Sequence, residues 1–122
     1  MKNKFSPEIQ NEIDEIFEKI NTWKELFYLK VEFYFDGWAI FLREKNLYHR
    51  SIVIFKSYSK TTYSLKSFEI HLHKLKKEEF REIYSEENIR NHKDLLKELK
   101  EVIYGKDLLK NASKTYKNAF LQ

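Results

Sequence analysis

Hydrophobic positions follow two different periods along this chain. Ile9, Ile13, Ile16 and Ile20, with Trp23 beyond them, recur at three and four residue steps, which is the spacing of one face of an α-helix. Ser6 followed by Pro7 supplies an N-cap and a first helical residue, so a helix is predicted over 7–23. From residue 27 the period drops to two. Asp36-Gly37 stands between two alternating runs, as in a two-residue hairpin turn. Folding about it sets Phe35 opposite Trp38, Phe33 opposite Ile40 and Val31 opposite Leu42. Those six apolar residues share one face, and Lys30, Glu32, Tyr34, Ala39, Phe41 and Arg43 share the other. Ser51 to Lys56 predicts a third strand. Its Ile52, Val53, Ile54 and Phe55 are apolar in succession, which suits a central strand or one covered on both sides.

Residues 65–83 fit either period. As a strand, Phe68, Ile70 and Leu72 point away from Glu69, His71 and His73. As a helix, Leu65, Phe68, Leu72 and Leu75 share a face that runs on to Phe80 and Ile83, and this reading is preferred because it carries through KKEEFREI without a break. Ser85 predicts the start of a further helix through Ile89, Leu95, Leu96, Leu99 and Ile103, stopped near Gly105. Leu108, Leu109, Ala112, Tyr116 and Phe120 suit a last one. The expected architecture is α+β, a single domain over 1–122. It has an N-terminal helix at 7–23, a three-stranded antiparallel sheet at 27–57 with an alternative fourth strand near 66–73, and two or three C-terminal helices within 65–120.

The composition supports a packed core, since 42% of the 122 residues are hydrophobic and 16% aromatic. The absence of cysteine excludes disulfides, thiolate zinc sites and cysteine nucleophiles, and fits a reducing compartment. Charges run through the first helix and no long apolar stretch occurs, so neither a signal peptide nor a membrane span is expected and the chain reads as cytoplasmic. Lysine outnumbers arginine 19 to 4, a bias that an AT-rich genome produces without selection. The distribution of charge says more than the total of +4. Residues 43–77 hold 9 basic and 2 acidic groups, whereas 1–42 hold 5 and 8, and 78–122 hold 9 and 9. Positive field is thus concentrated in the middle third.

Catalytic signatures are sparse. His71-x-His73 makes a metal pair only on a strand, and a site needs more ligands than two. Glu78-Glu79 and Glu86-Glu87 fall near predicted helix starts, where acids favour the dipole. Two glycines in the chain exclude a phosphate-cradling loop, and no G-x-S-x-G elbow is present. The expectation is a non-enzymatic protein with no catalytic residue, metal or cofactor.

The basic middle third carries the strongest functional lead. Lys30, Arg43, Arg50, Lys56, Lys60 and Lys66 suit phosphates, and Tyr34, Phe41, Tyr58 and Tyr63 suit stacking on unpaired bases. With so few arginines, backbone contact and stacking would lead over major-groove readout. Two family resemblances lie over this region. FYLKVEFYFDGWAIFLREK at 27–45 and RSIVIF at 50–55, followed by Phe68, Leu72 and Leu75, resemble a PUR repeat. That resemblance implies single-stranded DNA or RNA bound on a curved sheet, with room for a homodimer through the C-terminal helices. YSKTTYSLKSFEI at 58–70 resembles the strand exit and helix of RelE/HigB-type toxins at Tyr58, Lys60, Thr62, Glu69 and Ile70. Ala39 and Lys66 stand where that family has an arginine and a proline, so the resemblance implies a degenerate ribonuclease.

The first expectation is therefore a small binder of single-stranded nucleic acid. The alternative is an inhibitor or adaptor, of the kind a phage or mobile element encodes, that acts by protein contact on an anion-binding or regulatory surface of its partner. The partners expected are single-stranded nucleic acid or an anionic protein surface, and no membrane.

Overall fold

The computed structural model describes residues 6–45, 50–72 and 77–107, Leu72 by its backbone alone. Helix α1, Pro7–Ile20, opens where the Ser6 hydroxyl accepts from the Ile9 amide and continues into a 3₁₀ turn, Asn21–Trp23. Five strands follow: β1, Phe27–Phe33; β2, Gly37–Glu44; β3, Arg50–Ser57; β4, Tyr63–Leu72; and β5, Glu78–Ile89. Helix α2, His92–Ile103, starts where the Asn91 side chain accepts from the Asp94 amide. The sheet is an antiparallel meander in which each strand pairs with its sequence neighbours, in the order β1-β2-β3-β4-β5. No helix among the described residues is long and apolar enough to cross a membrane.

Three sequence expectations are corrected. The sheet has five strands where three were predicted, and the helical reading of 65–83 gives way to β4 and the first half of β5. Leu65 and Phe68 are three apart, as on one helix face, yet they project to opposite sides of β4. Leu65 is in the core, and Phe68 lines the other surface. An alternating strand that is apolar on both faces imitates a helical stripe over so short a run. Ser85 to Ile89 is also strand, so the C-terminal helical part shrinks, among the described residues, to α2 alone. Glu78-Glu79 and Glu86-Glu87 consequently sit on an edge strand instead of at helix starts. Acids and bulges blunt such an edge against pairing with another chain. β5 has a register shift on each side of Leu65–Ser67, and Asn88 adopts φ 62° beside the first. The helix expected around Leu108–Phe120 lies outside the described residues.

The strands of the hairpin keep their predicted faces, but the turn moves and takes Phe35 out of the apolar row into solvent. Phe33 pairs with Trp38, Val31 with Ile40 and Leu29 with Leu42. The turn is therefore Phe35-Asp36, and the register differs from the expected one by two residues. A slip of two preserves which side each residue faces. Gly37 is not needed for turn conformation; it opens β2, where a Cβ would collide with the Lys56 carbonyl oxygen and the Phe55 ring.

Both helices lie on one face of the sheet. Ile13, Ile16 and Ile20 of α1 and Leu95, Leu99, Val102 and Ile103 of α2 pack on Phe27, Trp38, Ile40, Leu42, Ile52, Ile54 and Leu65. Two of the polar ties that fasten this layer hold α2. Arg50, 2% exposed, donates to Asp107 Oδ1 at 2.9 Å, to Glu44 Oε2 at 3.2 Å, and to the carbonyls of Val102 at 2.7 Å and Ile103 at 3.0 Å. It thereby satisfies carbonyls that the end of α2 leaves open. On the second tie, Tyr84 donates to Glu98, and Lys106 Nζ lies 2.9 Å from the same carboxylate. Burial first, and then Glu98, push the Tyr84 hydroxyl up to about 12.

Candidate binding groove on the open face

Among the described residues, no helix covers the opposite face of the sheet. Alternation fixes what it displays: Tyr28, Lys30 and Glu32 from β1, Ala39, Phe41 and Arg43 from β2, Ser51, Val53 and Phe55 from β3, and Lys66 and Phe68 from β4. The β4–β5 ribbon runs past the start of β3, because Arg50 pairs with Glu69 and the pairs Ile70–Phe80 to Leu72–Glu78 lie beyond it. Arg43 of β2 is nonetheless in an ion pair with Glu78 of β5. Two strands separate β2 from β5, so this contact requires the ribbon to curl back over the open face. Curling turns the face into a groove of about 500 Å³, with Phe41 and Val53 on its floor and Tyr28, Phe68 and Phe80 on its sides. That volume is within the usual range for binding clefts, about 300–1,000 Å³.

Three of the cations around the groove are ion-paired. Lys30 pairs with Glu32 at 2.7 Å, Arg43 with Glu78, and Lys66 with Glu82 at 3.3 Å. Hydrogen bonding to Glu32 holds the Lys30 ammonium above its ordinary value, and Arg43 holds the Glu78 carboxyl below its own. Lys45 lies over the Tyr28 ring, 5.0 Å from its centre. Among the described residues, the rim thus presents three ion pairs and one further ammonium, Lys45, on an aromatic face.

The predicted nucleic-acid residues divide between the two faces. Lys30, Phe41, Arg43 and Lys66 come together on the open face, and Tyr34, exposed at the hairpin tip, extends the same row. Arg50, Lys56 and Tyr63 belong to the helix-covered side, where Arg50 serves the α2 carboxyl end and Tyr63 is buried. Tyr58 and Lys60 occupy the β3–β4 turn, away from the groove. A cleft of only about 130 Å³ under that turn takes in Lys60 and Tyr63, room for a few waters at about 30 Å³ each. Thr62 and Glu69, matched to the toxin family, are separated by the length of β4. His71 is 3.1 Å from Glu69, His73 lies outside the described residues, and no metal-binding cluster occurs among the described residues.

Comparison with protein-family models, with curated proteins and with solved structures finds no match.

Sequence reasoning missed six residues that line the groove: Tyr28, Glu32, Ser51, Val53, Phe68 and Phe80. The signal for Phe68 is its alternation with Glu69, in step with Ile70 and Leu72, which the preferred helical period overrides. Phe80 depends on the β4–β5 register shifts, which no local pattern announces.

Lys56 and Tyr63 have a different role from the expected one. Lys56 Nζ lies 2.6 Å from Glu12 Oε2, and the Tyr63 hydroxyl donates to the same oxygen. His92 approaches Glu12 at 3.8 Å and Glu15 at 3.6 Å. Burial alone would raise the Glu12 carboxyl, but the hydrogen bonds from Lys56 and Tyr63 and the charges of Lys56 and His92 outweigh it and hold it below its ordinary value. Because the folded value is depressed, the unfolded state takes up the proton more readily. The resulting stability is present above the ordinary glutamate value of about 4.3 and is lost as pH falls through the lowered one. Denaturation midpoints measured between pH 7 and the acid limit should show this loss in the wild type, and Glu12→Gln should flatten it.

Proposed function

We propose that this chain is a non-enzymatic binding domain, an inhibitor or adaptor, that acts by protein contact through the open face of its sheet. The observation that carries this reading is the aromatic groove whose rim cations Lys30, Arg43 and Lys66 are each ion-paired. A polyanion gains from unopposed cations, whereas Glu32, Glu78 and Glu82 face any phosphate brought to Lys30, Arg43 and Lys66. Aromatic side chains in a concave, partly desolvated setting are what protein hot spots are made of. Apolar side chains of a partner would fill the groove, and the ion pairs would form its polar rim.

The test is retention of a partner from nuclease-treated lysate, run beside Phe80→Asp. Phe80 is half exposed, so the substitution alters the groove without opening the core. One stoichiometric protein, held by the wild type and lost by the variant, is expected. A titration against poly-dT and poly-U supplies the contrary result. Binding that falls steeply with salt and vanishes when Lys30 and Lys66 are reversed to glutamate would replace protein contact with the nucleic-acid reading.

A further inference from the structure

The two edges of the sheet differ in how they are protected. β5 is blunted by its glutamates and its register shifts, whereas the seven residues of β1 pair with β2 without a shift and contain no proline. The backbone of β1 has a definite phase. The Tyr34 amide donates to the Gly37 carbonyl at 2.7 Å, and the Lys45 amide donates to the Leu26 carbonyl at 3.0 Å. Hydrogen-bonded pairs alternate with non-bonded ones in an antiparallel ladder, so Tyr28, Lys30 and Glu32 turn their backbone groups toward β2. Phe27, Leu29, Val31 and Phe33 turn theirs outward. Among the described residues, no hydrogen bond occupies the outward groups of Leu29 and Val31. Their side chains are only half-buried, because α1 begins over β3 and β4, where Glu12 meets Lys56 and Tyr63.

We infer that the β1 edge pairs with the β1 edge of a second copy of this chain, antiparallel about a two-fold axis at Val31 that stands perpendicular to the sheet. The inference is independent of the reading of the open face. An unprotected edge is a template for another strand, and the sequence of β1 is complementary to its own reverse. With the axis at Val31, the outward backbone groups of the two Val31 residues meet in a hydrogen-bonded pair. Lys30 of each copy then stands opposite Glu32 of the other, on the side of the sheet where these two already attract within one strand at 2.7 Å. Opposite charges directly across a ladder stabilise it, and like charges oppose it.

The remaining pairs match as well. On the helix side Leu29 stands opposite Phe33, and on the open side Tyr28 stands opposite Tyr34, apolar against apolar and aromatic against aromatic. Other registers do worse. An axis at Lys30 brings two ammonium groups together, and one at Leu29 sets Glu32 against Leu26. Because the axis is perpendicular to the sheet, both aromatic grooves open on the same side of the pair, and the β4–β5 ribbons lie at its far ends.

Sedimentation equilibrium of the full chain between about 1 µM and 1 mM, a span bracketing weak dimers, tests this. Lys30→Glu and Glu32→Lys each place two like-charged pairs across the axis and should weaken the dimer about tenfold. Both changes in one chain exchange the charges without altering their match, so that variant should dimerise as the wild type does. Val31→Pro removes an outward N–H that the β1–β2 ladder does not use, a change an edge strand tolerates, and it should abolish the dimer. Circular dichroism establishes that each variant folds. In the wild type, amide exchange at Leu29 and Val31 should be fast at the lowest concentration and slow at the highest. A wild-type chain that stays monomeric throughout the range overturns the dimer, as does a dimer indifferent to Val31→Pro. Single reversals that the exchanged variant fails to rescue overturn the axis at Val31. Protection of the two amides already complete in the monomer means that another segment covers the edge, and it too overturns the proposal.

Discussion

Arg50→Ala is expected to destabilise the fold by about 3–5 kcal/mol, the cost of leaving a buried ion without its counter-charge. The guanidinium is the shared partner of Glu44, Asp107 and two carbonyls at the end of α2. Asp107 is fully buried and Glu44 nearly so. Removing the guanidinium takes from those buried carboxylates the cation they share, and the Ser67 hydroxyl, which also reaches Asp107, brings no charge in its place. The midpoint of urea denaturation should fall with its slope unchanged. Replacing the charged group as a set, Arg50→Met with Glu44→Leu and Asp107→Leu, should recover part of the loss, since desolvation opposes much of what the pairing contributes. A loss below about 1 kcal/mol for the single variant would mean that water reaches these carboxylates and that the cluster does not anchor α2.

Trp38→Ala should cost about 3–5 kcal/mol, the range for emptying a large aromatic site in a core. Trp38 is 1% exposed and meets the Tyr63 ring edge-on at 6.2 Å. It stands beside Lys56 in the β2–β3 register, beneath the helices. Trp38→Phe preserves part of the packing and should cost distinctly less. Far-ultraviolet circular dichroism is the suitable probe, because the second tryptophan, Trp23, complicates fluorescence. Equal losses for alanine and phenylalanine would show that the ring contact with Tyr63 dominates and that the volume is refilled by its neighbours.

The sequence was most readable where one face of an element is buried and the other is not. α1 was legible from its isoleucines and its Ser6-Pro7 start. The two faces of the first hairpin were legible even though its turn was misplaced, because a two-residue offset leaves alternation intact. Legibility failed between residues 63 and 89 for a definite reason, whereas α2 was legible from Leu95, Leu99 and Ile103. β4 contributes to the core through Tyr63 and Leu65 and to the groove through Phe68, so its apolar residues do not alternate cleanly with polar ones. β5 is an edge strand rich in glutamate and interrupted by two bulges, so its composition is closer to that of an exposed helix. The candidate site shared this failure. Charge density along the chain located lysines and arginines, but not which side of the sheet each one takes, nor which glutamate answers it. Arg50 and Arg43 are seven residues apart and equally basic, yet one braces the interior and the other latches the β4–β5 ribbon across the groove.

The meander has a consequence for how the chain acquires its shape. Each strand finds its neighbour a short loop away, so the sheet can assemble as a series of local hairpins, the kind of connectivity that favours rapid folding. Helix α1 is in the opposite position. Glu12 meets Lys56 and Tyr63 at sequence separations of 44 and 51, and the isoleucines of α1 share a core with α2. During synthesis from the amino end, α1 emerges before most of the surface that shelters it exists. Its greasy stripe must wait on the ribosome until the last strand and helix have been made.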